Sequence, residues 1–109
     1  MNTLTYKGIE YDLVFNLNVM EEIQEEYGTV EKWGELTEAS EPNAKAIKFG
    51  LTAMLNEGIE IYNEDNEEKR ELLTLRKVGR IISEIGLLET ATRLNKAVID
   101  STTSDEKNS

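Results

Sequence analysis

Residues 75–98 read LRKVGRIISEIGLLETATRLNKAV, and this stretch decides the fold. Leu75, Val78, Ile82 and Ile85 fall at 3-4-3 spacing and share one side of a helix. Leu88, Ala91, Leu94 and Val98 form a second stripe. In one straight rod of 3.6 residues per turn, the second stripe would point roughly 160° away from the first. A single helix cannot bury both against the same core. Gly86 stands at the join, where a glycine in the left-handed region lets the chain turn. The stretch therefore predicts two short helices packed on a common interior.

Working outward, the N-terminus alternates with period two. Leu4 and Tyr6, then Ile9, Tyr11, Leu13 and Phe15, are expected to face inward, with Thr5, Glu10, Asp12 and Asn16 outward. Lys7-Gly8 between the runs suits a two-residue hairpin turn, which predicts strands near 3–6 and 9–15. A lone hairpin is marginal in water, so helices must cover its apolar face. Asn18, with Glu21 three residues on, reads as the cap of a helix carrying Val19, Met20, Ile23 and Tyr27 and ending at Gly28. Thr29 starts a short helix with Val30, Trp33 and Leu36. Residues 37–43 read as a polar loop, and Pro42 as the first turn of the next helix. That helix should carry Ala44, Ile47, Leu51, Met54 and Leu55 inward and stop at Gly58. The acidic run 63–68 reads as a solvated loop, and Thr74 as the cap of the first terminal stripe. Residues 102–109 hold no aliphatic or aromatic side chain and are expected to be a disordered tail.

The expected fold is thus α+β and mainly α: one domain over 1–101, an N-terminal β-hairpin packed on four or five short helices, and a flexible tail over 102–109. Its core should include Leu13, Phe15, Ile23, Ile47, Leu51, Leu55, Val78, Ile82, Leu94 and Val98.

Charge and composition narrow the function classes. Twenty-two acids against 12 bases give a formal charge of -10, which disfavours a nucleic-acid backbone or an anionic membrane as the main partner. The chain has no Cys and no His, so disulfides, thiolate chemistry and the commonest general base and metal ligand are missing. No apolar run approaches the ~20 residues of a membrane span, and the N-terminus lacks the order of a signal peptide. Counted from Asn63, a calcium loop would need glycine at its sixth position and glutamate at its twelfth. Those positions hold Glu68 and Thr74. Glu21, Glu22, Glu25 and Glu26 crowd one surface helix and read as a solvated face, not a catalytic pair. Neither phosphate-cradling glycine motif occurs. No enzyme, cofactor or metal is expected.

Five residues stand out as candidate protein contacts: Tyr27, Trp33, Ile59, Ile61 and Tyr62. Tyr and Trp are favoured interface anchors, yet a lone Trp in a small domain is more often core, and core is the first reading for Trp33. Ile59, Ile61 and Tyr62 either close one end of the core or form an exposed loop, and the residues leave both open. Gly79, inside the first terminal stripe, either permits close approach of another helix or a partner backbone, or is a tolerated helix glycine beside the core.

Taken in order, these segments resemble a known family. Residues 6–28, YKGIEYDLVFNLNVMEEIQEEYG, resemble the start of the small tail assembly chaperones of long-tailed phages and prophages of Gram-positive bacteria. Trp33 then follows the Tyr-Gly pair, a helix ends in LNEG at Gly58, and LTLRKVG runs from Leu73 to Gly79. The small tail proteins of gene-transfer agents share a looser pattern, N-L-x-x-M-x-x-I followed by Y-G. The resemblance spans nearly all of residues 4–103 and rests on order and length, not on a catalytic signature.

The resemblance implies a non-catalytic chaperone that binds the tape-measure protein, a long helical chain with exposed apolar surface. The chaperone would keep it soluble while tail-tube subunits polymerise, acting in the cytoplasm of the bacterial host and leaving before the virion is complete. It also implies a longer frameshifted product whose extension recruits the tail-tube protein. Glu106, Lys107 and Asn108 can be encoded GAA-AAA-AAC, which contains the slippery heptamer A-AAA-AAC; a GAG or AAG codon there would remove it. Homo-oligomerisation is left open. Two other classes stand beside this reading: a minor structural tail or connector protein, and an acidic inhibitor of a host DNA-binding protein. The second would need acids at phosphate-like spacing on one surface, whereas here they are scattered.

Overall fold

The computed structural model describes residues 2–38 and 40–102. Two strands, β1 (Thr3–Tyr6) and β2 (Ile9–Asp12), lead into five helices: α1 (Leu17–Tyr27), α2 (Val30–Glu38), α3 (Ala44–Asp65), α4 (Leu75–Ile85) and α5 (Leu87–Asn108), the last described through Thr102. The fold is α+β and mainly helical, with the N-terminal hairpin that the alternation predicts. Two of the helices, α3 and α5, are long, not short.

The strands pair antiparallel, Leu4 opposite Tyr11 and Tyr6 opposite Ile9. Lys7 and Gly8 both adopt positive φ, 50° and 79°, as a type I′ turn requires. β2 ends at Asp12, short of the expected residue 15. The Leu13 amide still reaches the Asn2 carbonyl at 2.9 Å, but the Val14 amide donates to the Met54 carbonyl on α3. The chain thus leaves the ladder to lie on the helix. Ile9, expected inward, is exposed at the turn end of the ladder.

Helix α1 is capped by Asn16, not Asn18. The Asn16 Oδ1 accepts from the Val19 amide at 3.3 Å, while the Nδ2 groups of Asn16 and Asn18 both donate to one Glu57 carboxylate oxygen, at 2.6 and 3.1 Å. The Glu57 carboxylate thus ties both asparagines to α3, while only Asn16 stands in extended backbone at the cap position. Thr29 and Thr74 cap α2 and α4 as their positions predict, accepting from the Lys32 and Lys77 amides. Helix α2 continues through the buried Thr37, which shortens the expected loop, and Leu36 is left exposed. Asn43 caps α3 by accepting from the Ala46 amide at 2.9 Å, so Pro42 precedes the helix and Ala44 lies exposed in its first turn.

The largest correction concerns Gly58. Helix α3 runs straight through it to Asp65, for 22 residues, or ~33 Å at 1.5 Å per residue. A Cβ at residue 58 would sit 2.6 Å from the Asp12 carbonyl oxygen. The glycine therefore gives the end of β2 room to cross the helix. The run 59–65 is helical, and only from Asn66 does the chain become a connecting segment, 66–74.

Helix α3 is the central element: β2, α1, α2, α4 and α5 all pack on it. It buries Ala46, Ile47, Gly50, Leu51, Ala53, Met54, Leu55, Gly58 and Ile59, residues pointing in several directions, as a helix wrapped by others must. Nine of the ten expected core residues are buried; Val98 is half-buried against them. Gly86 does break the last stretch, with φ 105° and ψ 140°. This conformation lies outside the left-handed helical region and is essentially confined to glycine. The buried set is shifted from the predicted stripes. Ile81 takes the place of Leu75, and Thr90, Ala91, Leu94 and Ala97 form the α5 stripe, with Leu88 exposed at 66%. Thr102 is still helical, its hydroxyl donating to the Val98 carbonyl at 3.0 Å. The remainder of the expected tail, 103–109, lies outside the described residues.

Candidate interaction surface

The five candidate contacts separate into core and surface. Trp33 is 1% exposed: its ring lies over Gly50 and its indole N–H donates to the Ala46 carbonyl at 2.9 Å. Ile59 is 2% exposed. Both are core residues and neither can be a free contact. Tyr27, the last residue of α1, is half-buried and meets the Phe49 ring edge-on at 5.6 Å. Its hydroxyl is buried with no hydrogen-bond partner among the described residues. Burial, aided by the Glu26 charge, raises its pKa above the ordinary phenol value. Ile61 is exposed, and Tyr62 is half-buried beneath the Arg70 guanidinium, 4.0 Å from its ring centroid. Phe49 and Tyr62 are thirteen residues apart on α3, which places Tyr27 about 20 Å from Tyr62 along the helix. The residues left at the surface therefore do not form one patch.

A different surface does bring residues together. Between the N-terminal half of α3 and the α4–α5 junction lies a groove of about 450 Å³, floored by Ala44, Gly79, Ile82, Gly86 and Leu87. Lys45 and Lys48 of α3 and Ser83 of α4 stand along its sides. Its origin is the change of direction at Gly86. The chain swings from α4 into α5, and the small residues at 79 and 86 leave the space next to α3 unfilled. A Cβ at residue 79 would meet nothing closer than Lys48 Cδ, at 3.5 Å. Of the two readings of Gly79, the surface beside it is thus an open one. Lys45 and Lys48 carry no sequence signal of their own. They become part of a site only through the packing of α3 on α4.

Charge is unevenly spread around this groove. The ion pairs among the described residues, Arg93–Glu89 and Lys96–Asp100, both lie within α5, so Lys45, Lys48, Arg76 and Arg80 have no carboxylate within 4.0 Å. Glu22 of α1 lines a second recess with Phe49, Thr52 and Asn56 of α3 and Leu75 of α4, and is held above the ordinary carboxylate range by partial burial and then by the charges of Glu57, Glu60 and Glu25. Negative charge thus collects around Glu22, beside Leu75 at the start of α4, while Lys45 and Lys48 stand unpaired along the groove.

Comparison with protein-family models, with curated proteins and with solved structures yields no match. Among the described residues, no group of three or more acids is placed to hold a metal ion, and no helix is long and apolar enough to cross a membrane. The groove thus combines a largely apolar lining with two lysines, on a chain whose formal charge is -10.

Proposed function

We propose that this chain is a non-catalytic tail assembly chaperone that binds the tape-measure protein and keeps it soluble while the tail tube polymerises. The resemblance of residues 4–103 to that family carries the reading. Two physical features support it. An open apolar groove between helices suits the amphipathic helices of an elongated client. A formal charge of -10 keeps many copies soluble on one client by mutual repulsion. In this reading the chain works in the bacterial cytoplasm and leaves before the virion is complete, and a frameshifted extension after the tail would bring in the tail-tube protein.

The test is co-expression with the tape-measure protein encoded beside it, followed by size exclusion and mass analysis of the soluble fraction. A soluble complex rich in this chain, absent when the chain is omitted, is the expected outcome. An insoluble client beside free small protein removes the chaperone reading. Finding the chain in purified virions would instead support a minor structural tail component.

A further inference from the structure

The groove beside Gly79 has a shape and a charge that together specify an occupant. Gly79, Ile82 and Ser83 lie at 3-1 spacing on one side of α4, and Gly86, just past its end, continues the lining. With glycine at 79 and again just past the helix end, another backbone can approach the last turns of α4 closely. Lys45 and Lys48, one turn apart on α3, border one side. Arg76, exposed and one turn before Gly79 on α4, lies beyond the lining but on the same side of the helix. None of the three has an ion-pair partner among the described residues. On a chain with ten more negative than positive groups, this is a local reversal of sign.

A small ligand would need fixed, convergent polar groups. The groove offers instead lysine tips on flexible stems and one exposed hydroxyl. A phosphate polymer would be repelled by the rest of the surface. An amphipathic helix meets both demands. Its apolar stripe covers the floor, and acidic residues beside that stripe reach the lysines and the arginine.

We propose that the α3–α4–α5 groove docks an amphipathic helix of a partner protein whose apolar stripe is flanked by glutamate or aspartate. The claim rests on the chaperone reading only for the identity of that partner, the tape-measure protein. The test uses the full chain and two synthetic amphipathic peptides with the same apolar stripe, one flanked by Glu and one by Lys, followed by fluorescence anisotropy.

The Glu-flanked peptide should bind, and the Lys-flanked peptide about tenfold more weakly or not at all. Charge reversal in Lys45→Glu/Lys48→Glu should invert that preference. Gly79→Leu, which fills the floor and displaces the Lys48 stem, should abolish binding while the variant still unfolds cooperatively with unchanged helix content. Equal binding of the two peptides, no binding of either, or unchanged binding in Gly79→Leu overturns the proposal. So does self-association of the unmodified chain that Lys45→Glu/Lys48→Glu abolishes, because a second copy would then fill the groove. Co-expression separates the two readings. A client solubilised equally well by Lys45→Glu/Lys48→Glu leaves the chaperone and removes the groove. Binding of the Glu-flanked peptide without any solubilised client does the reverse.

Discussion

At one end of α3 the Trp33 ring fills a notch over Gly50, whereas at the other end Asn56 and Asn63 hold a passing backbone by their amide groups. The N-terminal half is an apolar fit: a Cβ at residue 50 would overlap the indole, and the single polar atom of that ring is satisfied by the Ala46 carbonyl. The C-terminal half, which also buries Leu55 and Ile59, adds a polar one. Asn56 accepts from the Leu73 amide at 2.7 Å and donates to its carbonyl at 3.0 Å. Asn63 does the same for Arg70, at 2.8 and 2.9 Å. Seven residues of helix rise ~10.5 Å and three residues of extended chain span ~10 Å, so both clamps stay in register. Segment 66–74 is thus held by side chains that take the place of a neighbouring strand. One helix is thus fixed by two chemistries, of which only the first leaves a hydrophobic pattern.

The apolar end should give the largest effects. Trp33→Ala is expected to lose about 3–5 kcal/mol in chemical denaturation, the range for deleting a buried aromatic. Gly50→Ala should lose about 1–3 kcal/mol, because the ring must shift to admit the methyl group. In a Trp33→Ala background the same Gly50→Ala change should become neutral or stabilising, since the space is then open and alanine favours the helix. An equal loss in both backgrounds would show that the indole and Gly50 are not coupled.

The polar end should respond less and more locally. Asn56→Ala leaves the amide and carbonyl of the buried Leu73 without partners, an expected loss of about 1–3 kcal/mol. Amide exchange at Leu73 and Arg70 should accelerate more than exchange in the N-terminal half of α3. A loss within the surface scatter of about 0.5 kcal/mol, with exchange unchanged, would reduce the clamp to a surface contact.

This contrast also explains which parts of the molecule could be read from its residues. The hairpin turn, the caps at Thr29 and Thr74, and the breaks at Gly28 and Gly86 depend on local backbone geometry, which neighbouring residues dictate. Gly58 defies a local reading because a glycine that ends a helix and a glycine that admits a crossing strand look alike until Asp12 is placed over it. Asn63 sits in an acidic, amide-rich run with the composition of a loop, and only Arg70, brought back by the chain, gives it a helical role. The groove divides in the same way. Gly79 was visible within its stripe, but Lys45 and Lys48 come from an element some thirty residues earlier, and no local pattern links them.

Arg70 joins the polar clamp to the hairpin. Its guanidinium lies 4.0 Å from the Tyr62 ring centroid and 5.9 Å from that of Tyr11, and its Nη1 donates to the Glu10 carbonyl at 3.2 Å. Arg70→Ala should lose about 0.5–1 kcal/mol, the scale of an exposed cation–π contact, with Arg70→Lys between the two. A Lys variant as weak as the Ala variant would mean that planar stacking, not charge, holds the segment.

The smallest effects are electrostatic, and they set two seams against each other by sign. At the α5 seam, hydrogen bonds from Lys96 and then Asn2 hold Asp100 below the ordinary carboxylate range. A lowered acid pKa means that the folded state favours the charged form. Its contribution is present above the unfolded-state pKa and fades as pH falls through the folded one. At the α1–α3 seam, burial and the neighbouring glutamates raise the Glu22 pKa, so ionisation there opposes folding and stability is regained as pH falls through the raised value. Asp100→Asn should therefore be less stable than the parent at neutral pH and approach it in acid. Glu22→Gln should be more stable at neutral pH and likewise converge on the parent in acid. Added salt should shrink both differences, because both groups lie at the surface. Differences of the same sign in the two variants would mean that one of the seams has been assigned the wrong electrostatic role, and the direction of the Glu22→Gln change would identify which.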